Sequence, residues 1–532
     1  MSAKVILSLR TFILFACAAL VWVWVLPIWQ GPDETAHFSY VQYMMYHQLP
    51  PKVDNVPPGL QPWRSSASHS IIVSRNVTQY NRVLKNPSIH MNISPEMRDS
   101  ALRHIQRASG LKSNQAGSQN YVGIYPPLYY GLVGKFIHQV DVQNVNHQAY
   151  IARLLSALIF GVFGIVVDFM LQRVISDSWR RAPVVYSIPL LFPTLSMLGG
   201  VVNNDVLMDT MCLSLFCIIL DALYRTVWRY TVCVIYGVVL GVALITKPDT
   251  YVLAFITVMV VLIRMWRTVP SKWKVVHFAG VSAVPVLILS GPWFFMVLLY
   301  YNSIVPPLTY QGTGSWPRDT HWFTTHLLQS AAYQRSIMVY QTVSGIDFPW
   351  WTKPVSSNLF YNVWACLVGG LTLYGGYRLY RTSKSVFVVS LAWVAVVFAF
   401  LWFTAYTYLM KTGTHFLQGR YFFMTLPVVI YVLANALKRS AFLLRLIPIF
   451  SGLVFATVVN ATAYRYYGHG LLDMITGQVV TYDPYTITVV GRMSLIPLAL
   501  MLIWYAVRSN EARESGQLEG APSVRGRVKK PH

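Results

Sequence analysis

Long apolar runs, broken at short intervals by clusters of Lys and Arg, set the pattern of this chain. A bilayer core about 30 Å thick is crossed by roughly 20 apolar residues in a helix. Runs of that kind lie near 11–29, 150–171, 184–201, 206–223, 231–246, 250–265, 276–300, 358–379, 386–409, 421–437, 443–463 and 487–507. They predict an all-α polytopic membrane protein with about 12 transmembrane helices, the limits of 184–201 and 231–246 being the least sharp. The chain divides accordingly. Residues 1–29 form a cytoplasmic N-terminus and first span, and 30–149 a long structured first outer loop with interfacial helices. Residues 150–300 hold spans two to seven, and 301–357 a second outer loop. Residues 358–507 hold spans eight to twelve with an outer loop at 464–486, and 508–532 a disordered basic cytoplasmic tail.

Composition removes the other classes. Of 532 residues, 55% are hydrophobic and only 11% charged, against about 25% charged in soluble domains. A soluble globular protein and a disordered chain are both excluded. Cys17, Cys212, Cys217, Cys233 and Cys366 sit in apolar runs, where a thiol acts as a small hydrophobe, so no disulfide framework is expected. The net charge of +23 reads as topology, not as a nucleic-acid footprint. Basic clusters such as Arg173/Arg180/Arg181, Arg264/Arg267/Lys272/Lys274 and Arg378/Arg381/Lys384 fall in alternate connections. The excess of Lys and Arg in cytoplasmic loops then puts both termini in the cytoplasm. The first span is too long for a signal-peptide core and is read as an uncleaved anchor in the cell membrane. Against this bias, the first outer loop carries ten Lys or Arg to six Asp or Glu, which suggests an anionic partner such as a lipid phosphate.

Chemistry-bearing residues gather at the outer ends of the spans. Pro32-Asp33-Glu34-Thr35-Ala36-His37-Phe38 follows span one, with Asp33 and His37 on one helical face. A carboxylate at the lipid–water boundary suits a general base, and helix-start electrostatics is the plainer alternative. Asn203-Asn204-Asp205 makes the turn before span four, with Asp209 one turn further inside an apolar run, where carboxylates are rare. Lys247-Pro248-Asp249 ends span five, and a Lys on that side fits a phosphate or carboxylate partner. His415-Phe416-Leu417-Gln418-Gly419-Arg420-Tyr421 leads into span ten, and Arg420 offers a planar fork for phosphate oxygens. Tyr125-Pro126-Pro127-Leu128-Tyr129-Tyr130 introduces a short apolar helix and by itself says little.

In this order these elements resemble the GT-C superfamily of integral-membrane glycosyltransferases. The likeness is to a bacterial branch of polytopic proteins with a Pro-Asp-Glu-x-x-His-Phe element, and more distantly to protein O-mannosyltransferases and the lipid A aminoarabinose transferase. The resemblance implies a GT-C-like fold and a sugar donor carried on a polyprenyl phosphate. It implies transfer to a glycan or lipid acceptor hydroxyl on the extracytoplasmic face, within the bilayer and without nucleic acid. It assigns acceptor activation to Asp33, with Glu34 beside it, and donor phosphate binding to Lys247 and Arg420. His37, Asp205, Asp209, Asp249, His415 and Tyr421 are expected in support. Some members of the superfamily bind a divalent metal between such acidic residues, so the resemblance also offers Asp33, Glu34, His37 and Asp205 as a donor set for Mg, Mn or Ca, though nothing in their spacing demands it. The competing class is a multi-pass transporter or flippase, kept open by Asp168, Asp209 and Asp221. A non-catalytic scaffold is the third.

Overall fold

The computed structural model describes residues 3–26, 31–50, 121–142, 145–304, 358–412 and 418–467. Within them every predicted apolar run is helical. A helix satisfies all its backbone polar groups internally, which lipid demands. The helices are α1 (Ala3–Val25), α2 (Glu34–Tyr46), α3 (Leu128–Val140), α4 (Val145–Leu171), α5 (Ser178–Leu191), α6 (Pro193–Gly199) and α7 (Asp205–Tyr224). They continue with α8 (Tyr230–Leu244), α9 (Thr250–Thr268), α10 (Lys272–Tyr301), α11 (Asn358–Thr382), α12 (Lys384–Thr412), α13 (Leu426–Leu437) and α14 (Ala441–Tyr467). Short 3-10 turns, Tyr121–Ile124 and Gly419–Thr425, precede α3 and α13, and no strand occurs among the described residues.

Eight helices among the described residues are long and apolar enough to cross a membrane, or nine crossings if the bent pair α5–α6 is one span. The expectation of twelve differs for identifiable reasons. Helix α8 has only 15 residues, α11 is continuous but its apolar character is diluted by two Gly-Gly pairs and several Tyr and Arg, and the run 487–507 lies outside the described residues. The run 184–201 is not one straight span: it bends by 77° between α5 and α6. Pro193 opens α6 and has no N–H to continue α5. The break leaves the Leu191 carbonyl without its helical donor, and the indole Nε1 of Trp364 on α11 donates to it at 2.9 Å.

Helix α1 is the central post, packed against α4, α5 and α6. Phe15 meets Phe160 and Phe163 of α4 at ring separations of 5.3 and 6.0 Å. Trp22, fully buried, donates from Nε1 to Ser196 Oγ of α6 at 3.0 Å. Beyond the end of α1, α2 and α3 lie side by side in close contact. A Cβ on Gly134 would stand 2.6 Å from the Val41 carbonyl oxygen, so only glycine permits that approach. Tyr40 and Tyr130 stack across the same contact at 4.0 Å. The start of α2, the turn before α7, the α8–α9 connection and the 3-10 turn before α13 lie together at one end of the bundle.

Candidate active site

Four sequence segments meet in one ion network at that end. Arg420, in the 3-10 turn before α13, donates to the Asp33 carboxylate ahead of α2. Its Nε also lies 3.5 Å from Asp205 Oδ2, at the first residue of α7. Lys247 Nζ binds Asp205 Oδ1 at 2.6 Å and Asp249 Oδ2 at 3.2 Å. Asp205 therefore bridges the two cations. The Lys247 ammonium also sits 5.5 Å from the ring centres of both Tyr125 and Tyr421, close enough for cation–π attraction. Burial by itself pushes Lys247 down, but Asp205 and Asp249 outweigh it and hold the ammonium well above its ordinary value.

Exposure separates the carboxylates. The side chains of Asp33 and Asp249 are 24% and 22% exposed, that of Asp205 only 2%. Asp33 and Asp249 are thus partly open to solvent, while Asp205 holds the cations from within the bundle. Asp33 also holds left-handed backbone, with φ 54° and ψ 14°, a conformation uncommon outside glycine. Its carbonyl oxygen accepts from the Ala36 and His37 amides at 2.9 and 3.0 Å, which fixes the turn. Asn203 adds to the frame: Nδ2 donates to the Pro32 carbonyl at 3.1 Å, and Oδ1 accepts from the Asp205 amide at 2.9 Å.

Glu34, expected as a second reacting carboxylate, does other work. Oε1 accepts from Arg153 Nε at 2.6 Å and the Val202 amide at 3.1 Å. Oε2 accepts from Arg153 Nη2 at 2.6 Å and the Gly31 amide at 3.1 Å. Both side chains of the pair are fully buried. Arg153 Nη1 spans the Val23 and Leu26 carbonyls at 3.0 and 2.7 Å, at the unsatisfied C-terminal end of α1. The pair fastens α1, α2, α4 and the α7 turn together, and Glu34 has no oxygen to offer a substrate. Arg153 escaped the sequence reading; its signal was an Arg inside the otherwise apolar run 150–171.

His37 lies beside the ion network but not in it. It stacks on Tyr130, with ring centres 5.9 Å apart, and a 2.8 Å hydrogen bond joins Nδ1 to the Tyr130 hydroxyl. Burial pushes its pKa down to about 4, outweighing Asp33 and Asp205, so the imidazole is neutral at pH 7. Tyr40 donates to the Tyr125 carbonyl at 3.2 Å, which completes an aromatic wall. The Tyr-Pro-Pro-Leu-Tyr-Tyr element, uninformative as sequence, thus supplies Tyr125 and Tyr130 to the site.

Asp209 lies one turn below Asp205, buried, and neither of its oxygens has a hydrogen-bond partner. His415 lies outside the described residues. The metal donor set Asp33, Glu34, His37 and Asp205 does not assemble. Glu34 is saturated by Arg153 and two amides, Asp205 is held by Lys247, and His37 is turned to Tyr130. Among the described residues, no three His, Cys, Asp or Glu side chains converge as metal ligands. At the far end of the bundle, Asp168 binds Arg181 at 2.6 Å, and Asp221 accepts from Arg173, Arg225 and Tyr236. Those two acids are accounted for as ion-pair partners.

Residues 15–432 match the family model DUF2142, described as predicted membrane protein. The chain belongs to this family. Two solved structures are also similar to this DUF2142 member. One is ArnT from Cupriavidus metallidurans bound to undecaprenyl phosphate, with 14% identity and a TM-score of 0.39; the match covers 76% of this chain and 58% of that one. The other is ArnT from the same organism in the apo state, with 15% identity and a TM-score of 0.29; the match covers 75% of this chain and 84% of that one. The chain thus spans 58% of the length of the undecaprenyl-phosphate-bound protein. No curated protein matches.

Proposed function

We propose that this membrane protein is a GT-C-type glycosyltransferase, moving a sugar from a polyprenyl-phosphate carrier to an acceptor hydroxyl on the extracytoplasmic face. One observation carries the reading: Asp33, Asp205, Lys247 and Arg420, from four distant segments, share one ion network at one end of the bundle. The resting network already pairs each cation with carboxylates. A donor phosphate entering it takes over Arg420 and Lys247, and Arg420 then releases Asp33. The freed carboxylate accepts the proton of the acceptor hydroxyl as that oxygen bonds to the anomeric carbon. The bond from carbon to phosphate oxygen breaks, and its electron pair stays on the phosphate, held by the two cations. Asp205, buried between them, keeps both in place. Glu34 and Arg153 hold the frame.

The test is a transfer assay on purified protein with a panel of polyprenyl-phosphate sugars and envelope extract as acceptor. Asp33→Asn is expected to lower turnover by about 10²–10⁴-fold, the usual contribution of a general base, while donor binding persists. Lys247→Ala and Arg420→Ala are expected to weaken donor binding as well. Wild-type turnover in Asp33→Asn would overturn the assignment. Asp209 favours a second reading, a proton-coupled transporter or flippase, because an unpartnered carboxyl buried in a span is a common feature of proton pathways. Proton-gradient-dependent flux in vesicles, lost in Asp209→Asn and without any glycoside product, would decide for it.

A further inference from the structure

At the opposite end of the span that begins with Arg420, the structure gathers cations without a counter-charge among the described residues. Helices α11 and α13 touch backbone to backbone where a Cβ on Gly375 would stand 2.1 Å from the Val432 carbonyl oxygen. Arg378 and Asn435 each lie three residues beyond that crossing, and Lys438 follows at the end of α13. The contact forces Arg378 inside: the residue is 8% exposed, and both its terminal nitrogens, Nη1 and Nη2, are buried with no hydrogen-bond acceptor. The Tyr374 ring, 5.8 Å from its Cζ, offsets part of the cost of burial. It does not satisfy the N–H groups, and an unsatisfied buried donor is a rare and expensive feature.

The surroundings add positive charge. Among the described residues, Lys438 Nζ binds the neutral Asn435 Oδ1, at 2.8 Å, and no carboxylate. Burial, then Arg378 and Arg439, lower the Lys438 pKa, the mark of cations facing one another. No Asp or Glu occurs anywhere from residue 348 to residue 472, so α11–α14 have no carboxylate to give. Asp168 and Asp221, at the same end of the bundle, are already held by Arg181 and by Arg173 with Arg225. Arg381, Lys384 and Arg439 flank the cluster in sequence, and the exposed rings of Tyr377 and Tyr380 edge it, as aromatic side chains do at a headgroup layer.

We infer that Arg378 and Lys438 form a second anion site, remote from the candidate active site, that takes a phosphate group between the ends of α11 and α13. The two empty Nη groups present a planar fork to two phosphate oxygens, and Lys438 adds a point charge. The phosphate comes from a lipid headgroup of that leaflet or from a free anion, and the experiment separates the two.

Full-length protein is placed in nanodiscs of phosphatidylcholine alone or doped with phosphatidylglycerol, and in detergent with or without inorganic phosphate. Thermal midpoints are followed by tryptophan fluorescence, and retained lipid by native mass spectrometry. The wild type is expected to melt higher with the anion and to retain phosphatidylglycerol. Arg378→Gln is expected to lose about tenfold in affinity, the loss expected for one charge-assisted hydrogen bond. Lys438→Gln is the second variant, should Arg378→Gln not fold. A response to phosphatidylglycerol alone assigns the lipid, and an equal response to inorganic phosphate assigns the free anion. An anion response of the same size in the wild type and in the folded variants, or none in any arm, overturns the site.

Discussion

Removing one member of the Glu34–Arg153 pair tests whether Glu34 is a structural clamp or a reacting group. Arg153→Met keeps the length of the side chain but withdraws both 2.6 Å hydrogen bonds from Glu34 and leaves the Val23 and Leu26 carbonyls unserved. The carboxylate stays buried with two backbone amides as its only donors. Breaking a buried pair from one side costs about 3–5 kcal/mol, and Glu34→Gln, which strands the guanidinium, belongs in the same range. The double variant Glu34→Gln/Arg153→Met strands neither charge. It is expected to be more stable than the sum of the single losses implies, by at least about 2 kcal/mol of coupling. Equilibrium unfolding in mixed micelles, read by tryptophan fluorescence, gives all four corners of the cycle. Additive single losses would refute the clamp. So would a Glu34→Gln variant of wild-type stability that had lost turnover, since Glu34 would then act on substrate.

Three further outcomes follow from the same geometry. Because the pKa of His37 falls from 6.5 to about 4 on folding, the unfolded chain takes up a proton first as pH drops. Stability is therefore full above pH 6.5 and declines toward pH 4, by up to about 3 kcal/mol; pH-dependent melts should show this decline, and His37→Gln should flatten it. Gly134→Ala drives a methyl group against the Val41 carbonyl and is expected to cost about 1–3 kcal/mol in a chemical melt. Its turnover should fall with it, because Tyr130 moves with α3. Asp209→Leu removes an unpartnered buried carboxyl and is expected to raise stability by about 1–3 kcal/mol, measured in the same melt. Unchanged glycoside formation in that variant would count against a proton pathway through Asp209.

The charged members of the candidate site were legible in the chain because charge is conspicuous in an apolar background. Asp33, Asp205, Lys247 and Arg420 stand out at span ends, and the structure brings all four into one network. What was hidden is pairing. Glu34 and Arg153 are 119 residues apart, and nothing local distinguishes a carboxylate that is saturated from one that is open. Asp168 and Asp221 looked like membrane-embedded acids for the same reason, until Arg181 and Arg173 met them. The bend at Phe192 was signalled by Pro193, but periodicity gives no angle. The role of the Tyr-Pro-Pro element was hidden because interfacial aromatics are common in any membrane protein.

The bond between Arg420 and Asp33 joins residues separated by 387 positions, and this bears on how the protein is made. Asp33, Asp205 and Lys247 leave the ribosome early and reach the membrane with more carboxylates than cations among them. Arg420 is the last member of the network to be synthesised, and its whole flanking stretch, from residue 348 to 472, has no acid of its own. Asp33 thus enters the membrane well before the arginine that pairs with it. A chain arrested before α13 therefore leaves Asp33 without its arginine, and the network closes only once α13 has been made.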